Sequence, residues 1–458
     1  MQYLFPADTY AKRIKALAER VGHGVILILG NDNSPINYKD NYYPYRQDSN
    51  FRYFGGLDMP GVNLMIDCAS GESTLFGNEV TIDHTVWMGP QPSLRELADQ
   101  TGFDDVKPAD ELLSSLRGKD ISCLPPYRTE HFRLHQQITE HCDCSVRPAE
   151  DLIMAVIGQR EIKAEGEVAQ MEEALQITRE MHVKVMKTAR AGMRESVLAG
   201  IAEGIAIANQ GRLAYSAIVT KNGQILHNHE HHNILAEGDL VLCDMGSENK
   251  MRYAADITRT FPVSGRFSAK QKEIYNIVLE AEIKGINACR PGTSYADVHK
   301  LASTIIADGL IGLGLMKGNA EEAVEAGAHA LFFPHGLGHQ IGLDVHDMEG
   351  LGEDRVGYSE TVKRSDLFGT AYLRLGKELK AGYVLTVEPG IYFIPQLIDL
   401  WKSEGKFNDF IAYDKLEAYR DFGGIRIEDN VLVTTGSPQI LGKAIPKTVE
   451  EIEELMQS

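Results

Sequence analysis

Three apolar stretches of this chain end in, or carry, a carboxylate. In GDLVLCDMGS the run 240–243 ends in Asp244, and in VLTVEPGIYF a strand-like run ends in Glu388, directly before a Pro-Gly turn. In GGIRIEDNVLV, Arg426 and Glu428 share one face of an alternating stretch while Ile425 and Ile427 share the other. A carboxylate within an otherwise buried strand is costly unless it finds a partner. The fold must therefore bring these strand ends to arginines one by one, or to a cation they share.

Asp256 extends the pattern. It lies on a Thr-rich strand after the turn residues Gly246, Ser247 and Asn249. A hairpin of that length can set Asp244 and Asp256 on one face, where two anions would repel unless a cation lay between them. Two exposed hairpin charges are the other reading. FFPHGLGHQIGLDVHD adds His335, His339 and His346. The spacing of the first two imitates a helical metal pair, but Pro334, Gly336 and Gly338 oppose a helix, which leaves three imidazoles in an irregular apolar segment. HNHEHHN, beginning at His227, is ambiguous alone: alternate imidazoles on an extended strand can chelate a metal, and exposed His-rich turns have no such role.

With 458 residues, two or three domains are expected. Residues 10–21 and 93–100 read as helices and 25–29 and 62–67 as buried strands, an α/β domain over 1–158. A polar stretch near Gly158 opens the second domain, 159–458, with a long helix through about Lys187. Helices follow at 195–209, 268–289, 295–309 and 320–327, strands at 239–244, 255–261, 384–388 and 425–433, and two polar insertions at 350–378 and 395–421. The fold class is α/β (α+β).

Lys plus Arg number 46 against 65 Asp plus Glu, a formal charge of −19, which argues against nucleic acid and anionic membrane surfaces as partners. The N-terminal stretch reads as an amphipathic helix and not a secretory signal, and GVILILG is too short to span a bilayer. Six scattered cysteines, Cys68, Cys123, Cys142, Cys144, Cys243 and Cys289, form no C-x-x-C pair and read as free thiols of a reducing compartment. A cytoplasmic protein is expected.

Together the ordered set Asp244, Asp256, His339, Glu388 and Glu428 resembles the ligands of the pita-bread (creatinase/aminopeptidase-like) metallopeptidases. LHNH, FPHGLGH, DVHD, VLTVEPGIYF and GGIRIED are similar to the aminopeptidase P and prolidase branch, and to prolidase most closely. YPYRQDSNFRYFGG and HTVWMG are similar to that branch's N-terminal domain, which serves substrate access and dimer contacts. The resemblance implies a peptidase for the Xaa-Pro bond of small peptides, acting through a hydroxide that bridges two divalent ions per subunit. Mn²⁺ is expected, with Co²⁺ or Zn²⁺ as alternatives.

The same resemblance implies roles. Asp244 binds one ion, Asp256 and Glu428 bridge, and His339 and Glu388 complete the second. Glu388 also moves the proton, while His335 and His346 hold the scissile carbonyl. His227 and Tyr215 line the substrate pocket, and Arg426 steadies the carboxylates beside the substrate. Trp87 reaches the partner's site in a homodimer. His229, His231 and His232 match no functional position and are expected in a solvated turn. Arg374, fourteen residues before Glu388, matches the arginine that clamps a dipeptide's carboxylate, so a dipeptidase is expected over an aminopeptidase P acting on longer peptides. A non-enzymatic pita-bread binding module is the remote alternative.

Overall fold

The computed structural model describes residues 2–144 and 146–458. The chain divides into two compact units. One runs from the N-terminus through Arg160 and includes Met348–Gly352; the other comprises Glu161–Asp347 and Glu353–Ser458. The division thus lies two residues beyond Gly158. The charged stretch that follows is pinned by buried partners: Lys163 Nζ donates to Asp347 at 2.8 Å, and Glu161 accepts from Lys377 at 2.7 Å.

The first unit is built on a six-stranded mixed sheet of order β4-β3-β2-β1-β5-β6. Its strands are β1 (Val25–Leu29), β2 (Asn63–Asp67), β3 (Ser73–Gly77), β4 (Asp105–Pro108), β5 (Ile121–Cys123) and β6 (Val146–Pro148). β1 is buried at every position, as an unbroken VILIL run requires of a central strand covered on both faces. The helix Ala7–Val21 buries Tyr10, Ile14, Leu17 and Val21, and Gly22 stops it in the left-handed region at φ 75°.

The second unit pairs short antiparallel strands with long helices, chiefly Glu165–Thr188, Glu195–Ala208, Ala269–Ala288 and Tyr295–Gly312. Its strands are β7 (Arg212–Leu213), β8 (Ile218–Thr220), β9 (Leu240–Asp244), β10 (Ser247–Glu248), β11 (Thr258–Pro262), β12 (Val384–Val387), β13 (Gly390–Tyr392), β14 (Gly424–Arg426), β15 (Asp429–Leu432) and β16 (Gln439–Ile440). They form sheets β11-β9-β8, β12-β15-β16, β13-β14 and β10-β7.

Register explains why carboxylates end these strands. Thr258 pairs with Asp244, and Val387 pairs with Asp429. Glu388 therefore leaves β12 at the edge where Glu428 enters β15. Two expectations need correction. The stretch 425–433 is two strands, not one: Ile427 N–H donates to Pro389 O and Glu428 N–H to Thr258 O, so the chain changes sheets there. Asp256 precedes β11 instead of lying on it, because its main chain is held by the Asn430 amide, whose Nδ2 donates to Asp256 O at 2.6 Å. The insertions are also less polar than expected. The helix Pro395–Ser403 buries Ile398 and Trp401, and Trp401 packs edge-on against Phe368 and Phe407.

Among the described residues no helix is long and apolar enough to cross a membrane. All six cysteines are free.

Candidate active site

Two close approaches deliver the site. Gly246 lies where an added Cβ would sit 1.7 Å from Ala255 O, so only glycine lets the turn after Asp244 close against the segment carrying Asp256. At Gly338 a Cβ would meet Thr386 O at 2.1 Å, so only glycine lets the irregular FPHGLGH segment run flush along β12. There Thr386 N–H donates to His339 O and Glu388 N–H to Leu337 O, which sets His339 beside Glu388.

Ligand-type atoms of Asp256, His339 and Glu428, all buried, lie within 4.8 Å of one another. His339 Nε2 is 3.5 Å from Asp256 Oδ2 and 3.5 Å from Glu388 Oε1. Its Nδ1 is 3.0 Å from Gln340 O, a contact that puts the proton on Nδ1 and presents the Nε2 lone pair to the carboxylates. Asp244 joins from β9. Its Oδ1 accepts from the Tyr215 hydroxyl at 2.6 Å, and its Oδ2 accepts from Arg426 Nη2 at 2.6 Å. The Tyr215 hydroxyl also contacts Asp256 Oδ1. Glu428 Oε2 accepts from Thr258 Oγ1 at 2.7 Å, while Oε1 is buried with no protein partner.

The electrostatics fit a cation. Burial, then the neighbouring carboxylates, push Glu428 well above the ordinary range. Burial likewise raises Asp244 against the pull of Arg426, and lifts Glu388 to about 7. Only Asp256 is held low: burial opposes this, and contacts with His339 and Tyr215 prevail. Four carboxylates around one arginine leave excess negative charge in a desolvated space, and a divalent ion neutralises such a set. The orphaned Glu428 Oε1 and the His339 Nε2 lone pair supply donor atoms for it. The residues present fit a metal centre.

Beside the cluster is a cavity of about 290 Å³. His227, His335, His346, Tyr372, Arg374 and Arg426 contribute to its wall, along with Asp244, His339 and Glu388. The ring of His346 stands edge-on to His339 with centroids 4.2 Å apart. His335 is held at both nitrogens, Nδ1 against Gly336 O and Nε2 against the Tyr392 hydroxyl, each at 2.8 Å. Burial and then Arg426 lower His335 to about 3, so its ring is neutral. Arg374 Nη1 donates to Glu353 Oε2 at 3.1 Å.

Two sequence expectations change. Tyr215 was expected to line the pocket; its hydroxyl instead bridges the two aspartates. His231 is not a solvated turn residue, since its Nε2 lies 3.1 Å from Ala217 O and ties the HNHEHHN segment to the end of β8. His229 and His232 are exposed, the former stacked 6.4 Å from His227. Trp87 lies on the helix Ile82–Met88 of the first unit, which buries none of its residues, and is 85% exposed.

Sequence reasoning missed Tyr392 and Thr258. The Tyr392 hydroxyl accepts from Arg426 Nη1 at 2.8 Å and reaches His335, while Thr258 Oγ1 links Arg426 Nε to Glu428. The period-two alternation of GIYF placed Tyr392 on one face with Gly390 and opposite Ile391, but only register with β14 aims that face at Arg426.

Comparison with known proteins agrees with this geometry. Residues 169–435 match metallopeptidase family M24, and residues 10–119 match the aminopeptidase P N-terminal domain. The chain is 33% identical to the Xaa-Pro dipeptidase of Homo sapiens, covering 98% of this chain and 94% of that protein. It is also 33% identical to a probable Xaa-Pro aminopeptidase (pepP) of Botryotinia fuckeliana (strain B05.10), covering 99% and 97%. Among solved structures it superposes on Pseudomonas aeruginosa aminopeptidase PepP with TM-score 0.83 at 30% identity, covering 99% and 98%. The zinc-substituted Escherichia coli aminopeptidase P in complex with product gives 0.82 at 30%, covering 99% of each chain. With a pita-bread unit following an aminopeptidase P-type N-terminal domain and a buried carboxylate–imidazole cluster at its centre, this chain belongs to metallopeptidase family M24.

Proposed function

We propose that the chain hydrolyses the Xaa-Pro bond of small proline-containing peptides, dipeptides above all. In this reading two divalent ions per subunit are held by Asp244, Asp256, His339, Glu388 and Glu428. The convergence of these five side chains beside a cavity carries the peptidase reading. Four carboxylates with a single imidazole suit Mn²⁺, with Co²⁺ or Zn²⁺ also accommodated. When bound, such ions polarise a carbonyl and lower the pKa of water.

The chain's own groups act around that chemistry. Glu388 accepts a proton from the attacking water and delivers it to the proline nitrogen. His346 donates to the oxygen of the scissile carbonyl as negative charge develops there. His335 has both nitrogens engaged, so we assign it the wall that holds the acyl side, a departure from the role its motif implies. Arg426 holds Asp244 and Tyr392 in place, and His227 closes over the pyrrolidine ring. An Xaa-Pro bond has no N–H and a fixed φ, so recognition by ring packing suits it better than recognition of an amide hydrogen.

Arg374 supports the dipeptide preference, because its guanidinium lines the same cavity as the cluster and offers a fork to a carboxylate. Its pairing with Glu353 favours the second reading, an aminopeptidase P: a guanidinium already engaged leaves the far side of the cavity to a longer chain. The deciding experiment compares kcat/KM for Gly-Pro and for a Gly-Pro-Yaa tripeptide after chelation and Mn²⁺ re-addition. A dipeptidase prefers the first, an aminopeptidase P the second, and full activity without metal refutes both.

We further assign a cytoplasmic homodimer. Free cysteines support the compartment. The wholly unburied helix Ile82–Met88, exposing Val86, Trp87 and Met88, supports a partner subunit that covers it.

A further inference from the structure

Behind Glu428, on the side away from the cavity, lies a buried cluster of charge that the reaction does not use. Asp429 follows Glu428 in the chain and is buried. Its Oδ1 accepts from Arg259 Nη2 and its Oδ2 from Lys447 Nζ, each at 2.7 Å. Arg259 is 1% exposed. Its Nη1 donates to Glu428 O at 2.7 Å and to Thr258 O at 3.0 Å, while Nε and Nη2 reach the carbonyls of Pro446 and Ile445. One guanidinium thus fastens the main chain of Glu428 and of Thr258, which bonds the Glu428 carboxylate, to the segment just before Lys447.

Lys447 is itself fixed from three sides. Its Nζ donates to Glu282 Oε1 at 2.7 Å, and its carbonyl accepts from the Tyr275 hydroxyl at 2.7 Å. Its N–H donates to Glu451 Oε2 at 3.0 Å, within the capping box that opens the C-terminal helix Val449–Gln457. Tyr275 and Glu282 are two turns apart on the helix Ala269–Ala288 and face the same way. Neither group touches the cavity, so selection for substrate contact does not account for them.

We propose that Lys447 is a positioning residue for the metal centre: it holds Asp429 and, through Arg259, fixes the backbone of Glu428, so that docking of segment 445–447 sets metal affinity. This rests on Glu428 being a metal ligand. A buried carboxylate with two rigid cationic partners holds its strand to one geometry, and removal of one partner leaves the strand end free to shift. Outer partners of this kind alter metal affinity on the order of 10- to 100-fold when removed.

The test titrates Mn²⁺ into metal-stripped full-length protein by calorimetry, with kcat measured separately at saturating Mn²⁺. Lys447→Met keeps the methylene stem and removes the ammonium. It is expected to weaken Mn²⁺ binding about 10- to 100-fold, with kcat recovering at saturation. Lys447→Arg should restore part of the affinity, which a general loss of packing would not. Unchanged Mn²⁺ affinity in Lys447→Met overturns the proposal. If Lys447→Met does not fold, Tyr275→Phe decides: weaker binding supports the proposal, and wild-type affinity overturns it. Glu428→Gln separates the two levels of inference. If it binds Mn²⁺ as wild type does, the ligand assignment falls and the proposal with it. If it loses binding while Lys447→Met does not, only the proposal falls.

Discussion

Arg374→Ala is the substitution on which the dipeptide preference turns. A free-acid dipeptide presents its carboxylate one residue after the scissile bond, and a bidentate guanidinium pair in a partly desolvated cavity contributes about 2–4 kcal/mol. The structure reduces that figure. Arg374 already donates to Glu353 at 3.1 Å, and both side chains are about a third exposed, at 36% and 35%. A pair so exposed is worth only about 0.2–1 kcal/mol, because water screens it. Substrate binding exchanges one pair for the other, so the net contribution is about 1–3 kcal/mol, or about 5- to 150-fold in kcat/KM. The assay compares wild type and Arg374→Ala on Gly-Pro and on its C-terminal amide, which has no carboxylate to clamp. The loss is expected on the acid alone. Lysine at 374 should recover part of it, since it supplies charge without the fork. Glu353→Gln, which releases the guanidinium, should raise kcat/KM for the acid by at most about fivefold. Equal losses on acid and amide would refute the reasoning and leave Arg374 as a support of the Glu353–Gly357 helix.

Chelation is expected to abolish activity and Mn²⁺ to restore it; Asp256→Asn or Glu428→Gln should prevent restoration, as read by elemental analysis alongside rates. Replacing His229, His231 and His232 together with Asn should leave metal content unchanged but lower stability by about 1 kcal/mol, since only His231 makes a backbone bond; loss of metal would count against the assignment. Lys163→Met removes the ammonium that pairs with Asp347 in a site where both side chains are 1% exposed, and should cost about 3–5 kcal/mol in urea unfolding; a change below 1 kcal/mol would show that the pair is not desolvated.

Much of the site was legible because its chemistry conflicts with its surroundings. Asp244, Glu388 and Glu428 stand out as charges at the ends of apolar runs, and the Pro and Gly of FPHGLGH announce an irregular backbone. Asp256 was legible as a residue but not in its setting. What holds it is an amide from Asn430, 174 positions away, and no local pattern reports that. The same is true of Tyr215, Tyr392 and Thr258, whose hydroxyls are chemically ordinary until strand register aims them at the cluster. The break at Ile427 was invisible for a related reason. Alternation continues unbroken through GGIRIEDNVLV, and the change of sheet is imposed by Pro389 and Thr258 as distant acceptors. His231 illustrates the opposite case: a polar residue in a polar run reads as solvated, although it anchors the run.

The charge cluster behind the site also carries a pH signature. Glu282 is fully buried against Asp429, with Lys447 on its other side. Burial first, and then the Asp429 charge, raise its carboxyl from the ordinary 4.5 to about 8, against the pull of Lys447. A carboxyl with a higher pKa folded than unfolded keeps its proton longer in the folded state. Its stabilising contribution is complete below the unfolded value of 4.5 and is lost as pH rises through about 8. Within that window each pH unit removes up to about 1.4 kcal/mol of unfolding free energy from this one group. Glutamine copies the protonated form: it keeps an acceptor for Lys447 and presents an N–H toward Asp429. Glu282→Gln should therefore match wild type in stability near pH 5 and exceed it increasingly toward pH 8. The measurement is the urea unfolding free energy of both proteins at intervals from pH 5 to 8.5, taken as a difference so that titrations common to both cancel. A difference that does not change with pH would mean that Glu282 is ionised throughout the window. In that case Lys447, and not burial, governs its charge.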